Sequence, residues 1–244
     1  VDCIFLDPAR RNEHGGKTVA ISDCEPNVAE LEGLLLSKAN RIMIKLSPML
    51  DLSQALKELP HTQEVHIISV NNECKELLLL LGQTAPEEIP VHCVNLSTKG
   101  EQEKQLFVFT REQEQHSECS YTDTLGNYLY EPNASLLKAG AFRSIAAAYS
   151  VKKLHPNSHL YTSDTQIEGF PGRTFRIINR CSLNKKEIKE NLSDLKKANI
   201  TVRNFPATVA ELRKRIKLAE EGDTYLFAST LNDGQKILIR CGKV

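Results

Sequence analysis

The sequence predicts an α/β protein of two modules: a mostly parallel sheet closed by a hairpin, and a small C-terminal α/β sandwich. Three observations predict it. Apolar strands alternate with helical patterns over residues 1 to 110, the mark of βαβ crossovers. The final stretch, from residue 173, reads β-α-β-α-β-β. The charge balance also changes sign along the chain. Pro171 to Val244 hold 16 Lys+Arg against 8 Asp+Glu, whereas residues 1 to 170 hold 15 against 23, so the overall balance of zero hides two unlike parts. Three segments follow: 1–110, a helical connecting segment 111–170, and 171–244. "IEGFPGR" at 167–173, with two glycines and a proline, reads as the linker.

The elements of the first module follow in order. Residues 2–6 form a strand. "NVAELEGLLLSKA" (27–39) has apolar residues at helical spacing. "RIMIKL" (41–46) is a β-branched strand ended by Ser47-Pro48. "LSQALKEL" (52–59) is a short helix, "EVHIISV" (64–70) a strand, and "ECKELLLLL" (73–81) a further helix. Strands near 91–96 and 105–109 are separated by only a short polar gap, which suits an antiparallel hairpin. Residues 111–130 are polar, with "REQEQHSECS" as a loop. "NASLLKAGAFRSIAAAYSV" (133–151) reads as one helix capped by Asn133, with Gly140 as a close-packing position.

The second module is more sharply patterned. "TFRIINRC" is a strand. Asn184 and Glu187 make a capping box for a helix running to about Ala198, and "ITVRNF" is a strand. Thr208 and Glu211 make a second capping box, opening "VAELRKRIKLA". "TYLFAST" and "QKILIRC" then pair across "LNDG". This order differs from the βαββαβ of a ferredoxin-like fold.

Several function classes drop out. No apolar run reaches the 18 or so residues of a membrane span. No basic stretch leads into a long apolar one, as a signal peptide requires. Seven cysteines stand singly at 3, 24, 74, 93, 119, 181 and 241, without a CxxC pair; this reads as reduced thiols in a cytoplasmic protein. His155 and His159 have i, i+4 spacing, but Pro, Asn and Ser lie between them, so no metal site is expected there.

Two strand ends of the first module carry chemistry. Asp7-Pro8-Ala9-Arg10-Arg11 ends one, and Lys45-Leu46-Ser47-Pro48 ends the next. In open α/β sheets, ligands sit beyond the carboxyl ends of the strands. Each proline ends its ladder and leaves carbonyls facing the cleft. Taken singly, Asp-Pro or Ser-Pro is an ordinary turn. Taken together they make Asp7, Pro8, Arg10, Arg11, Lys45, Ser47 and Pro48 candidate site residues.

In the second module the candidate residues are cations. Lys185 and Lys186 occupy the first turn of a helix, where the macrodipole disfavours positive charge. Arg213, Lys214, Arg215 and Lys217 crowd another helix, and Arg203 precedes it. The alternatives are a solvated basic face or a surface for an RNA backbone. Phe205, Tyr225 and Phe227 interleave weakly with these cations, which favours recognition of duplex or shape over stacking on single strands.

"FLDPARR" resembles the Asp-Pro-Pro or Asn-Pro-Pro motif that follows the fourth strand of class I S-adenosyl-L-methionine (AdoMet)-dependent methyltransferases. With "DCEPN", "IMIKLSPMLD", "YEPNASLLKAGAF" and the C-terminal module, the chain resembles methyltransferases that carry a C-terminal THUMP-like domain. The resemblance implies part of a Rossmann-like methyltransferase sheet in the first module. It gives Asp7 and the Pro8 carbonyl the role of accepting hydrogen bonds from the group to be methylated. Amino-methylating relatives place an aromatic residue fourth in the motif. Arg10 stands there instead, so phosphate clamping by Arg10 and Arg11 replaces base stacking as the expectation.

The same family carries a glycine-rich cofactor loop after its first strand. The twelve glycines here never form G-x-G, and only one strand precedes Asp7. The half that would hold AdoMet is therefore expected outside this chain, with this chain the C-terminal part of a longer protein. That partner half would also cover an otherwise unpaired strand edge. The leading reading is an AdoMet-dependent methyltransferase acting on structured RNA and inactive without its other half. The alternative is a non-catalytic RNA-binding or scaffolding protein.

Overall fold

A computed structural model describes residues 1–10, 20–98 and 104–244. The chain divides into two units: Val1–His116 with Asn133–Ala141, and Ser117–Pro132 with Phe142–Val244.

The first unit begins with β1 (Cys3–Leu6), a small pairing of β2 (Ala9–Arg10) with β3 (Cys24–Glu25), and helix α1 (Val28–Lys38). Then come β4 (Arg41–Leu46), α2 (Leu52–Glu58), β5 (Thr62–Val70), β6 (Glu73–Gly82), β7 (Pro90–Leu96), β8 (Lys104–Thr110), α3 (Arg111–His116) and, after an excursion into the second unit, α4 (Ala134–Ala139). Local chemistry sets the helix starts. The Asn27 side chain accepts from the Ala29 amide at 3.2 Å, and Asp51 from Gln54 at 2.8 Å.

The six strands run in the order β1-β4-β6-β5-β7-β8. β1 is parallel to β4 and β5 to β7; the pairings β4–β6, β5–β6 and β7–β8 are antiparallel. The sheet is therefore mixed, not mostly parallel. The correction lies at residues 73–81, expected as a helix and found as strand β6. Asn71 and Asn72 take φ of 50° and 64°, the left-handed pair that turns a tight hairpin. Five successive leucines then serve as a central strand. Leu77, Leu79 and Leu81 are buried on one face with Ile42, Ile44, Val65 and Ile67.

The opposite face is open. Phe5, Leu106 and Val108 are 58%, 47% and 44% exposed, and Met43, Leu78, Leu80, Ile68 and Val94 are partly exposed on the same side.

Two further readings change in this region. "REQEQH" forms the short helix α3 instead of a loop. The single helix expected over 133–151 is two, because Gly140 ends α4 at φ 75°. Asn133 does cap α4, accepting from the Leu136 amide at 3.2 Å.

The second unit holds β9 (Tyr128–Pro132), α5 (Phe142–Tyr149), β10 (Lys152–Lys153), β11 (Tyr161–Ser163) and β12 (Gly172–Cys181). It continues with α6 (Lys185–Leu192), β13 (Asn199–Val202), α7 (Val209–Ile216), β14 (Thr224–Thr230) and β15 (Lys236–Lys243). The order from β12 onward is the expected β-α-β-α-β-β. One sheet joins all seven strands, β10-β11-β9-β12-β15-β14-β13. Residues 111–170 are thus no helical connector, since β9, β10 and β11 are strands of this sheet. "IEGFPGR" is no free linker either: Phe170 is buried against the rings of Tyr130 and Tyr149. A Cβ on Gly172 would come within 2.1 Å of the Glu131 carbonyl oxygen, so only glycine fits this strand contact.

Both faces of this sheet are covered. Phe175, Phe227, Ile237, Ile239 and Cys241 pack on one side; Cys181, Leu226, Ala228 and Leu238 pack on the other with Leu192 and Leu212 of the helices. A bulge between Ile177 and Asn179 flips the alternation of β12, so Phe175 serves the first core and Cys181 the second.

Candidate functional site

The parallel pairing of β1 and β4 brings their carboxyl ends side by side. Asp7, Pro8, Lys45, Leu46, Ser47 and Pro48 thereby line one cleft of about 260 Å³, with Cys24, Lys75 and Glu76. Lys45 Nζ lies 2.6 Å from Asp7 Oδ2. That hydrogen bond, reinforced by the charges of Glu76 and Asp7 and opposed by desolvation, raises the Lys45 pKa. Pro8 is buried and Asp7 about half exposed. Ser47 turns the chain after β4: its Oγ accepts from the Met49 amide at 3.2 Å and its carbonyl from Leu50 at 3.1 Å. Arg10 pairs through its backbone with Cys24. Arg11 lies outside the described residues.

Besides Cys24, sequence reasoning missed two cleft residues, Lys75 and Glu76. They stand at the start of β6, which runs antiparallel to β4 and so begins where β4 ends. Reading 73–81 as a helix hides them. The Asn-Asn pair at 71–72, between two apolar runs, is the available signal.

The cleft offers a carboxylate, a buried proline at the strand end and an ammonium group. It can hold a hydrogen-bond donor against Asp7 in place of Lys45. Among the described residues no glycine lines it, and the sequence holds no G-x-G. The described residues thus present hydrogen-bonding and charged groups to the cleft and no glycine cradle.

The cations of the second unit fall into two groups. Lys185, Lys186, Lys214, Arg215 and Lys217 lie at the surface. Arg215 Nη2 donates to the Leu183 carbonyl at 2.9 Å, which draws α7 beside the first turn of α6 and its two lysines. Lys217 forms the left-handed cap of α7, with φ 61°. Arg203 and Arg213 belong to the protein's own scaffold. Arg203 Nη2 donates to Glu131 Oε1 at 3.0 Å, and Arg173 Nε to Glu131 Oε2 at 2.8 Å; the Glu131 side chain is 3% exposed. Arg173 also stands over the rings of Phe175 and Tyr225. Arg213 Nη1 donates to the carbonyls of Ala198 and Leu218, both at 3.3 Å.

Caps hold these helices in place. Thr208 and Glu211 form the expected reciprocal box. At α6, Asn184 accepts from the Lys186 amide at 2.8 Å, but Glu187 reaches past it to the Ser182 amide at 2.8 Å, which lowers the Glu187 pKa. That helix ends at Leu192, short of Ala198.

His155 and His159 are held apart. His159 stacks on Phe142 at 3.7 Å, and burial with the charges of Lys153 and Arg203 lowers its pKa to about 4. His155 Nδ1 accepts from the Asn157 amide at 3.0 Å.

Comparison with known proteins agrees with this picture. Residues 128–171 match the model of a ferredoxin-like domain, and residues 172–243 that of the THUMP domain-like family. None of the curated proteins gives a significant match. Among solved structures, the chain matches the crystal structure of a "putative methyltransferase" from Porphyromonas gingivalis W83, with a TM-score of 0.89 and 40% sequence identity. The match covers 100% of this chain and 60% of that one, so this chain spans about three fifths of the solved protein. No helix among the described residues is long and apolar enough to cross a membrane. The chain carries a C-terminal THUMP-like domain and shares, over its whole length, the fold of that methyltransferase-type structure.

Proposed function

We propose that this chain is the acceptor-side part of an AdoMet-dependent methyltransferase that acts on structured RNA. One observation carries the reading: Asp7 and Pro8 at the end of β1 share a single cleft with Lys45, Ser47 and Pro48 at the end of β4. Asp7 and the Pro8 carbonyl accept hydrogen bonds from the group to be methylated and fix its orientation. Positioning of this kind acts on the chemical step more than on affinity. AdoMet supplies an electrophilic methyl group when bound. The residues that would seat it belong to the part of the protein outside this chain. The longer chain of the P. gingivalis structure and the open apolar face of the first sheet support such a further part. RNA is held by the exposed cations around α6 and α7, which the THUMP-like match supports.

The test is single-turnover methyl transfer from radiolabelled AdoMet to structured RNA by the full-length protein. Asp7→Ala should slow the transfer step while RNA binding is kept. An unchanged rate removes Asp7 from the mechanism. Undiminished RNA binding with no transfer by the wild type establishes the non-catalytic RNA-binding alternative.

A further inference from the structure

We propose that Glu64, His66 and His92 form a binding site for a zinc-class divalent cation on the open face of the first unit's sheet. Sequence alone offers no reason to join them, since the two histidines lie on different strands, 26 positions apart. Parallel pairing of β5 and β7 sets His66 directly opposite His92. Their rings stack with centroids 4.4 Å apart and planes 9° apart. Glu64 joins from the same strand as His66. Its Oε2 lies 3.2 Å from His66 Nε2 and 3.9 Å from His92 Nε2. One donor atom from each of the three residues falls within 4.8 Å of the others.

These spacings suit a tetrahedral ion. Zinc bonds to imidazole nitrogen and carboxylate oxygen are about 2.0–2.2 Å, so neighbouring ligand atoms stand roughly 3.4 Å apart. The His66–Glu64 pair is at that spacing already. His92 must close by about 1.5 Å at most, and both rings must tilt toward the ion. The side chains of His66, Glu64 and His92 are 27%, 45% and 25% exposed, so they have room to turn. Two imidazoles and one carboxylate leave a fourth position for water or another ligand. Two nitrogen donors favour zinc, cobalt, nickel or copper over magnesium or calcium, which take oxygen. Leu78 and Val108 flank the pair across the neighbouring strands, giving the site apolar edges. The ion would take the place of the direct contact between His66 Nε2 and Glu64 Oε2.

The test is titration of the full chain, kept reduced, with Zn²⁺ by calorimetry and with Co²⁺ by ligand-field absorption. One equivalent should bind. His66→Ala/His92→Ala should abolish that binding. Glu64→Gln, nearly isosteric and at a half-exposed position, should weaken it by about 10-fold or more. His155→Ala should leave it unchanged. A thermal melt confirms that each variant is folded, and Glu64→Gln keeps the test decisive if the double variant is not. Absence of stoichiometric binding to the wild type overturns the proposal. So does undiminished binding in the folded double variant, which would place the metal on other residues, or in Glu64→Gln, which would take the carboxylate out of the site.

Discussion

Replacing Glu131 by Ala should destabilise the second unit strongly. Glu131 is 2% exposed, and its two oxygens take hydrogen bonds from Arg203 at 3.0 Å and Arg173 at 2.8 Å. Without the carboxylate, two guanidinium groups face each other with no countercharge between them. Removing one partner of a buried pair costs about 3–5 kcal/mol. The arginines are 39% and 35% exposed, so water relieves part of the penalty and the lower end, about 3 kcal/mol, applies. For a unit of this size that is a fall in Tm of about 10 °C. The assay is urea and thermal unfolding of Glu131→Ala, Arg203→Ala and the double variant, closed as a cycle. The double variant should be destabilised much less than the sum of the single variants, because Arg203 stripped of Glu131 contributes little. A destabilisation below about 1 kcal/mol in Glu131→Ala would show a surface-type pair. Arg203 would then be available to a ligand, as the sequence suggests.

The other predictions concern the basic face, the cleft and a cap. Lys185, Lys186 and Lys214 replaced together by Ala should weaken binding to unrelated RNAs about equally and flatten the salt slope by roughly one unit for each phosphate no longer neutralised, with the melt unchanged; an unchanged slope would make this face merely solvated. Arg213→Ala should instead lower the melting temperature, because its guanidinium ties Ala198 to Leu218. The Lys45 pKa is raised above the ordinary 10.5 by Asp7, so the stability it contributes is complete below that value and disappears as pH climbs through the folded pKa. Lys45→Met should remove this alkaline dependence, and unfolding curves between neutral and strongly alkaline pH that superimpose for both proteins would deny the link. Thr208→Ala should cost about 1 kcal/mol by urea unfolding, since the Glu211 amide loses its hydroxyl acceptor while the Thr208 amide still donates to Glu211.

The C-terminal module is legible because its signals are local. Thr208-x-x-Glu211 marks a helix start within four residues, and "LNDG" marks a hairpin within four. The first sheet is less so. A run of five leucines has neither period 2 nor period 3.6, and helix and strand then differ only in what the neighbouring chain buries. Here β4 and β5 bury both edges of the run, which no local pattern reports. The helix expected over 133–151 fails on one residue: Gly140 fits a close-packing position by composition and serves as a left-handed cap. Cations are the hardest to read. Arg203 and Arg215 look alike in the sequence, but Glu131, 72 positions from Arg203, claims one and leaves the other at the surface.

The cleft shows the same dependence on remote strands, with a consequence for its chemistry. Asp7 and Lys45 are legible as loaded strand ends, but their contact at 2.6 Å follows from the β1–β4 register, which pairs Leu6 with Ile44. Lys45 presents an ammonium donor to the carboxylate that the proposed mechanism reserves for the acceptor group. In the proposed mechanism an incoming donor competes with Lys45 for Asp7 Oδ2. Glu76, from the misread strand, lines the same cleft, and its charge also raises the Lys45 pKa. In the proposed mechanism the residue hidden by the helix reading is thus a second negative charge acting on the lysine that holds Asp7.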